Sequence, residues 1–234
     1  MIKIFRGVKV MKYVPDILYS AKLIADPSRA TILQSLMEVD GLPASDLAVK
    51  AGITLQTASS HLSKLIDGGL LTVERHGRHK YYRIASIEVA EVIESLSVLA
   101  PIPKVNSLKS HQAKQRLRVA SSCYDHLAGL VGVQLTEGLI NGGYLLDRPN
   151  EKEFIITDKG VEFFREWNID IEELQKLNRF FAKKCLDWSE RKYHIAGSLG
   201  SAIMRHLTDE KWIKKLPERQ ILVTAIGEKN FKKN

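Results

Sequence analysis

The stretch ASDLAVKAGITLQTASSHLSKLIDGGLL, residues 44–71, decides how the first half of this chain folds. It predicts a short helix from Ala44 to Ala51 stopped by Gly52, a turn, and a second helix from Leu55 to about Asp67. Thr54 stands where an N-cap is wanted, and Gly68-Gly69 offer the left-handed residues that end a helix. Two short helices joined by a glycine turn make a helix-turn-helix unit. The second helix divides cleanly, with Ala58, Leu62, Leu65 and Ile66 on one side and Gln56, Thr57, Ser60, Ser63 and Lys64 on the other. That outer side is small and hydrogen-bonding. A helix lying in a DNA major groove needs such a surface, because bulky or acidic side chains would clash with bases or phosphates. An ordinary amphipathic surface helix divides in the same way, so the helix alone does not choose.

The flanking sequence chooses. Upstream, Ile17, Leu18, Ala21, Ile24 and Ala25 keep helical spacing. A second helix opens at Asp26-Pro27-Ser28, with Asp26 as its cap and Pro27 in its first position. Its buried face is expected at Ala30, Ile32, Leu33 and Leu36, and its end at Asp40-Gly41. Downstream, TVERHGRHKYYRI (72–84) crowds Arg75, His76, Arg78, His79 and Lys80 around Gly77, with strand formers on either side. Gly77 is then the tip of a hairpin. Two histidines on a tip without a carboxylate or thiol make a poor metal cage, and nothing there tunes a catalytic pKa. Permanent cations beside a groove-reading helix grip phosphates while the helix reads bases. The hairpin reads as a wing. Residues 86–100, apolar at Val89, Val92, Ile93, Leu96 and Leu99, predict one more helix.

Residues 15–100 resemble the winged helix-turn-helix domain of the ArsR/SmtB family of bacterial transcription factors. The residues that carry this are ADPSRATILQSL, the 44–71 stretch, and VERHGRHKYYRI. The resemblance implies a homodimer, paired through the first helix and the helix after the wing, on a pseudo-palindromic operator in double-stranded DNA. Its DNA contacts fall on Gln56, Thr57, Ser59, Ser60, His61 and Lys64 of the recognition helix and on Arg75, Arg78, His79 and Lys80 of the wing. Metal-sensing members carry a Cys-x-Cys pair on the helix that opens the helix-turn-helix, or carboxylates and histidines on the last dimer helix. Here the first position reads LPASDLA, and the last helix offers Glu88, Glu91 and Glu94 without histidine or cysteine. The signal enters elsewhere, or is not a metal.

Charge agrees with a polyanionic partner. The 234 residues carry a formal +8. Residues 101–120 hold five basic residues and no acidic one, so over half of that excess sits in one short segment. PIPKVNSLKSHQAKQRLR (101–118) reads as a linker that becomes a basic helix near Ser110, lying along DNA or simply solvated. No run of about 18 apolar residues suggests a membrane span. The N-terminal stretch lacks the apolar core of a signal peptide, and two distant cysteines make no disulfide framework, so a reduced, cytoplasmic protein is expected. No GxxxxGK[ST], GxGxxG, HExxH or GxSxG is present, so an enzyme is not expected. A winged-helix protein–protein module without DNA binding is the other alternative.

The second half contains an internal repeat. Residues 126–164 align with 194–231, pairing His126 with His194, Gly129 with Gly197, Gly132 with Gly200 and Leu139 with Leu207. Tyr144 pairs with Trp212, Pro149 with Pro217, Thr157 with Thr224 and Gly160 with Gly227. Each copy predicts a helix, an aromatic turn, a strand and a further turn, a winged-helix-like half used twice. Residues 170–188 between them predict an amphipathic helix with Ile171, Leu174, Leu177, Phe181 and Cys185 on one side. A cysteine precedes each copy, in CYDH at 123–126 and CLDW at 185–188. Cys123, His126, Cys185 and His194 admit three chemistries: a zinc site, a thiol redox pair, or packing. Trp167, Trp188, Trp212, Tyr144 and Tyr193 suit a core, or a pocket for an organic effector.

The expected fold is mainly α with small β-hairpins (α+β). A winged helix-turn-helix domain spans 1–100, a basic linker and helix 101–120, and a duplicated, sensory domain of two winged-helix-like repeats 121–234. The expected function is a cytoplasmic, homodimeric DNA-binding repressor released by a small-molecule, metal or redox effector.

Overall fold

The computed structural model describes residues 15–77, 79–101 and 107–231. Two compact units divide between Val89 and Ala90.

The first unit runs α1 (Ile17–Ile24), α2 (Pro27–Leu36), β1 (Leu42–Pro43), α3 (Ala44–Ala51), α4 (Leu55–Asp67), β2 (Leu71–His76), β3 (His79–Ile84). Asp26 caps α2, its carboxylate accepting the Arg29 N–H at 2.9 Å, and Thr54 caps α4 by accepting from the Thr57 N–H at 3.2 Å. α2 ends at Leu36, earlier than Asp40-Gly41 suggested. The residues beyond lead into β1, where Leu42 and Pro43 pair with Tyr82 and Tyr81. A proline hid this strand from the sequence pattern, since it lacks a ladder donor and is tolerated only at an edge. α2 buries Ile32, Leu33 and Leu36 as expected, but Ser35 is buried and Ala30 only half-buried. Of the two glycines after α4, only Gly69 is left-handed (φ 71°). Gly68, at φ −85°, is not.

Ala58, Leu62 and Leu65 of α4 are fully buried with Leu47 of α3 and Ile32 and Leu33 of α2. Each buried leucine or isoleucine contributes about 1.5–3 kcal/mol, which fixes the orientation of α4 and presents its other side to solvent. β2 and β3 pair from Leu71–Ile84 out to His76–His79. Gly77 at the tip has φ 63°, a conformation that costs other residues strain.

The second unit opens with α5 (Ile87–Leu99), which carries the division, and α6 (Leu108–Val119). Then follow β4 (Ser121–Ser122), β5 (Leu127–Ala128), α7 (Gly129–Asn141), β6 (Leu145–Leu146), β7 (Ile155–Ile156) and α8 (Asp158–Glu166). After α9 (Ile171–Gln175) the same order returns: β8 (Lys184–Leu186), β9 (Tyr193–Ile195), α10 (Gly197–Asp209), β10 (Ile213–Lys215), β11 (Ile221–Val223) and α11 (Ala225–Phe231). The element order strand–strand–helix–strand–strand–helix therefore occurs twice. The expected closing turn of each copy is a short helix, α8 or α11, capped by Thr157 or Thr224.

The copies are laced together by equivalent bonds. The Ile221 N–H donates to the Ala120 carbonyl and the Phe154 N–H to that of Ala182. Likewise Ser122 binds Arg219, and Lys184 binds Lys152. Each copy's leading strand thus adds to the other copy's second hairpin, and one core holds Leu139, Leu145 and Phe164 with Leu199, Ile203 and Leu207. Gly129 and Gly197 match because both are left-handed (φ 74° and 77°) and packed on backbone. A Cβ would come within 2.7 Å of the Arg118 carbonyl oxygen, or 2.5 Å of that of Phe180.

The long helix expected over 170–188 does not form; α9 stops at Gln175. Glu153 captures the Phe181 and Ala182 N–H groups at 2.7 and 3.1 Å, and Lys184 to Leu186 pair as a strand with Tyr193 to Ile195. The apolar spacing was real, but these backbone donors are bonded outside any helix.

Candidate functional site

Two constellations stand out, one in each unit. In the first, Gln56, Thr57, Ser59, Ser60 and Lys64 are exposed along α4. The Ser59 hydroxyl donates to the Leu55 carbonyl, and the Thr57 hydroxyl bonds to that of Thr54. Gln56, Ser60 and Lys64 make no side-chain hydrogen bond or ion pair among the described residues, so their donors and acceptors are available. His61 differs. Its ring is half-buried, with Nδ1 3.4 Å from Arg29 Nη1 and 3.8 Å from Asp26 Oδ1, and it ties α4 to the start of α2. Asp26 itself is held below the ordinary carboxylate range, chiefly by the Arg29 backbone N–H it accepts.

On the wing, Arg75, His79 and Lys80 are exposed, while Arg78 lies outside the described residues. Arg75 stands directly opposite Lys80, and His76 opposite His79. Like charges directly opposed across a ladder are destabilising. The exposed carboxylates do not relieve Arg75 or Lys80: Glu74 lies 3.4 Å from both His76 and Arg83, and Asp40 bonds Arg83 at 3.0 Å. Among the described residues of the hairpin, Arg75 and Lys80 keep their charges unneutralised.

In the second unit, Cys123, His126, Cys185 and His194 converge, their donor atoms all within 4.8 Å of one another. His126 Nε2 lies 3.1 Å from His194 Nε2, and Cys123 Sγ 3.7 Å from the latter. Cys185 stands opposite His194 across the β8–β9 ladder, and the Cys123 N–H donates to the His126 carbonyl in the first hairpin. Cys123, His126 and His194 are buried and Cys185 is half-buried. Both thiols are free.

A carboxylate backs each ring. Asp125 Oδ1 lies 3.2 Å from His126 Nδ1 and Asp187 Oδ2 3.2 Å from His194 Nδ1. Arg179 holds Asp125 at 2.6 Å, while Asp187 accepts from Gly129 N, Ser189 N, Ser189 Oγ and Glu190 N. Burial opposes ionisation of Asp125, but His126 and Arg179 outweigh it and bring the carboxyl down to about 2. Burial opposes charge on either ring, against which Cys123 and the carboxylates raise both imidazoles; contact with Cys185 and burial push the Cys123 thiol up in turn. The Cys-x-Asp repetition was visible in the sequence; Arg179 and Ser189 carried no signal there.

The aromatic residues divide. Tyr144 stacks on Phe163, Trp167 on His206, and Trp212 meets Trp167 and Phe231 edge-on, all against the core. Tyr193 lies elsewhere and is exposed.

A helix-turn-helix domain model matches residues 24–74. An uncharacterized HTH-type transcriptional regulator, YdfF of Bacillus subtilis (strain 168), is 45% identical over 221 residues, covering 94% of this chain and 97% of that protein. The HTH-type transcriptional regulator Rv0324 of Mycobacterium tuberculosis is 35% identical over 79 residues, 34% of each chain. Among solved structures, the homodimeric winged helix-turn-helix DNA-binding domain Mb0332 of Mycobacterium bovis is 32% identical, covering 36% of this chain and 76% of that one, with a TM-score of 0.33. NolR of Sinorhizobium fredii is 30% identical, covering 36% and 82%, with the same score. Identity with YdfF across nearly its whole length shows that the chain belongs to the family of HTH-type transcriptional regulators.

Proposed function

We propose that this regulator acts as a cytoplasmic, homodimeric, non-enzymatic repressor, reading bases through α4 and gripping phosphates through the wing. The observation that carries the proposal is the pairing of an exposed, uncommitted α4 face (Gln56, Ser60, Lys64) with a wing whose like charges oppose each other in the same unit. Thr57 and Ser59 add backbone-level contacts, His79 joins Arg75 and Lys80, and Arg78 extends the same tip. His61 acts by holding α4 in place. Pairing through α1 and α5 is favoured by the apolar residues each leaves exposed: Ile17, Leu18 and Tyr19 on the first, Val92, Leu96 and Leu99 on the second. Paired copies would meet half-sites about 10–10.5 base pairs apart, or a multiple of that.

The experiment is a duplex titration at fixed salt. Gln56→Ala is expected to weaken specific binding by about 1–3 kcal/mol while sparing non-specific binding. Equal loss on both DNAs would show that α4 does not read bases. Leu96→Glu is expected to shift sedimentation toward monomer, and an unchanged dimer would remove α5 from the interface.

A further inference from the structure

We propose that Cys123, His126, Cys185 and His194 bind one zinc ion in a closed tetrahedral site that joins the two repeats. Each repeat supplies one thiol and one imidazole from its leading hairpin, so the equivalent halves complete an S2N2 set.

The donor separations are compatible with a shared metal ion. Tetrahedral zinc with bonds of about 2.05 Å to nitrogen and 2.3 Å to sulfur separates two nitrogens by about 3.3 Å and a nitrogen from a sulfur by about 3.6 Å. The His126–His194 and Cys123–His194 separations are 3.1 Å and 3.7 Å, and with all four donors within 4.8 Å of one another, small side-chain adjustments would close them on one ion.

The flanking carboxylates strengthen the case. Asp125 and Asp187 lie at the two Nδ1 atoms: His126 Nδ1 is hydrogen-bonded to Asp125, and His194 Nδ1 stands 3.2 Å from Asp187 without a formed hydrogen bond. The two Nε2 atoms meet 3.1 Å apart in one buried space beside Cys123 Sγ, where a single ion would be shared by both rings. Carboxylate–histidine pairs of this kind orient zinc ligands. Soft thiolates with imidazoles select zinc among the common divalent ions, and four protein ligands leave no open position for a reacting water. The site is a cross-link. Binding releases the two thiol protons.

The full chain, purified under reducing conditions without chelator, is analysed for metal by mass spectrometry and for thiols after unfolding. One zinc per chain is expected. Replacement by cobalt(II) should give the visible bands of a tetrahedral ion and a thiolate charge-transfer band. Cys185→Ser, at the least buried ligand, should reduce occupancy at least tenfold, whereas His111→Ala on exposed α6 should leave it at one. The wild-type stoichiometry and cobalt spectrum stand even if the cysteine variant fails to fold. A metal-free chain with two reactive thiols would overturn the proposal in favour of packing. A mass two daltons low, reversed by reductant, would overturn it in favour of a disulfide pair. A metal retained in full by folded Cys185→Ser would place it elsewhere.

Discussion

Replacing Arg75 and Lys80 together by alanine should weaken the complex with DNA and stabilise the free protein. These two cations face each other across the β2–β3 ladder and form no ion pair among the described residues. In the free protein their opposition costs something in the range of about 0.2–1 kcal/mol, with solvent screening favouring the lower end. In the complex each would neutralise one phosphate, and each contact contributes about 0.9 to the slope of log K against log salt. Loss of both should therefore flatten the slope by about 1.8. Between 50 and 200 mM salt the wild type should lose about twelvefold more affinity than the variant. Fluorescence anisotropy of a labelled duplex across that range measures the slope, and urea unfolding measures the stability. Parallel salt lines for wild type and variant would refute the wing as a phosphate clamp, whatever the change in affinity at one salt concentration.

Asp26→Ala removes the cap of α2 and should cost about 1 kcal/mol in urea unfolding, an effect absent if the cap bond is not formed. Because Asp26 has a depressed pKa, its contribution should be complete above the ordinary carboxylate range and fade as pH falls through and below it. Gly197→Ala and Gly129→Ala should each destabilise the second unit by about 2 kcal/mol or more, since a left-handed alanine would also clash with backbone. Near-neutral effects on thermal unfolding would refute that packing. Burial holds His206, stacked on Trp167 at 4.5 Å, below its usual pKa. Its unfolded form binds the proton more readily, so the His206 contribution to stability should be full above about pH 6.5 and fall as pH drops through that value. His206→Phe should abolish that dependence in thermal unfolding scans between pH 5 and 8, and an identical pH profile would exclude His206 as its source.

The sequence exposed the helix-turn-helix because its signals are local. Thr54, Asp26 and Gly52 act within a few residues of themselves, and the apolar spacing of α4 repeats over three turns. β1 was hidden because its partner strand lies about forty residues away and its second residue is proline. The helix expected over 170–188 failed for a similar reason: Glu153, far upstream, takes the N–H groups a helix would use. The repeat itself was legible through its paired glycines, histidines and threonines. What the alignment did not reveal is the exchange of leading strands between copies, which places Cys123 beside His194. Asp125 and Asp187 showed in the sequence as repeated letters; only the fold sets each against a ring nitrogen.

The most direct test of the account is selection of binding sites from a pool of randomised DNA duplexes by the full chain. Recovery of an inverted repeat with half-sites about one helical turn apart is predicted, lost with Gln56→Ala and Ser60→Ala together. A pool that stays random while the protein binds it would contradict sequence reading by α4 and leave only electrostatic attachment to DNA.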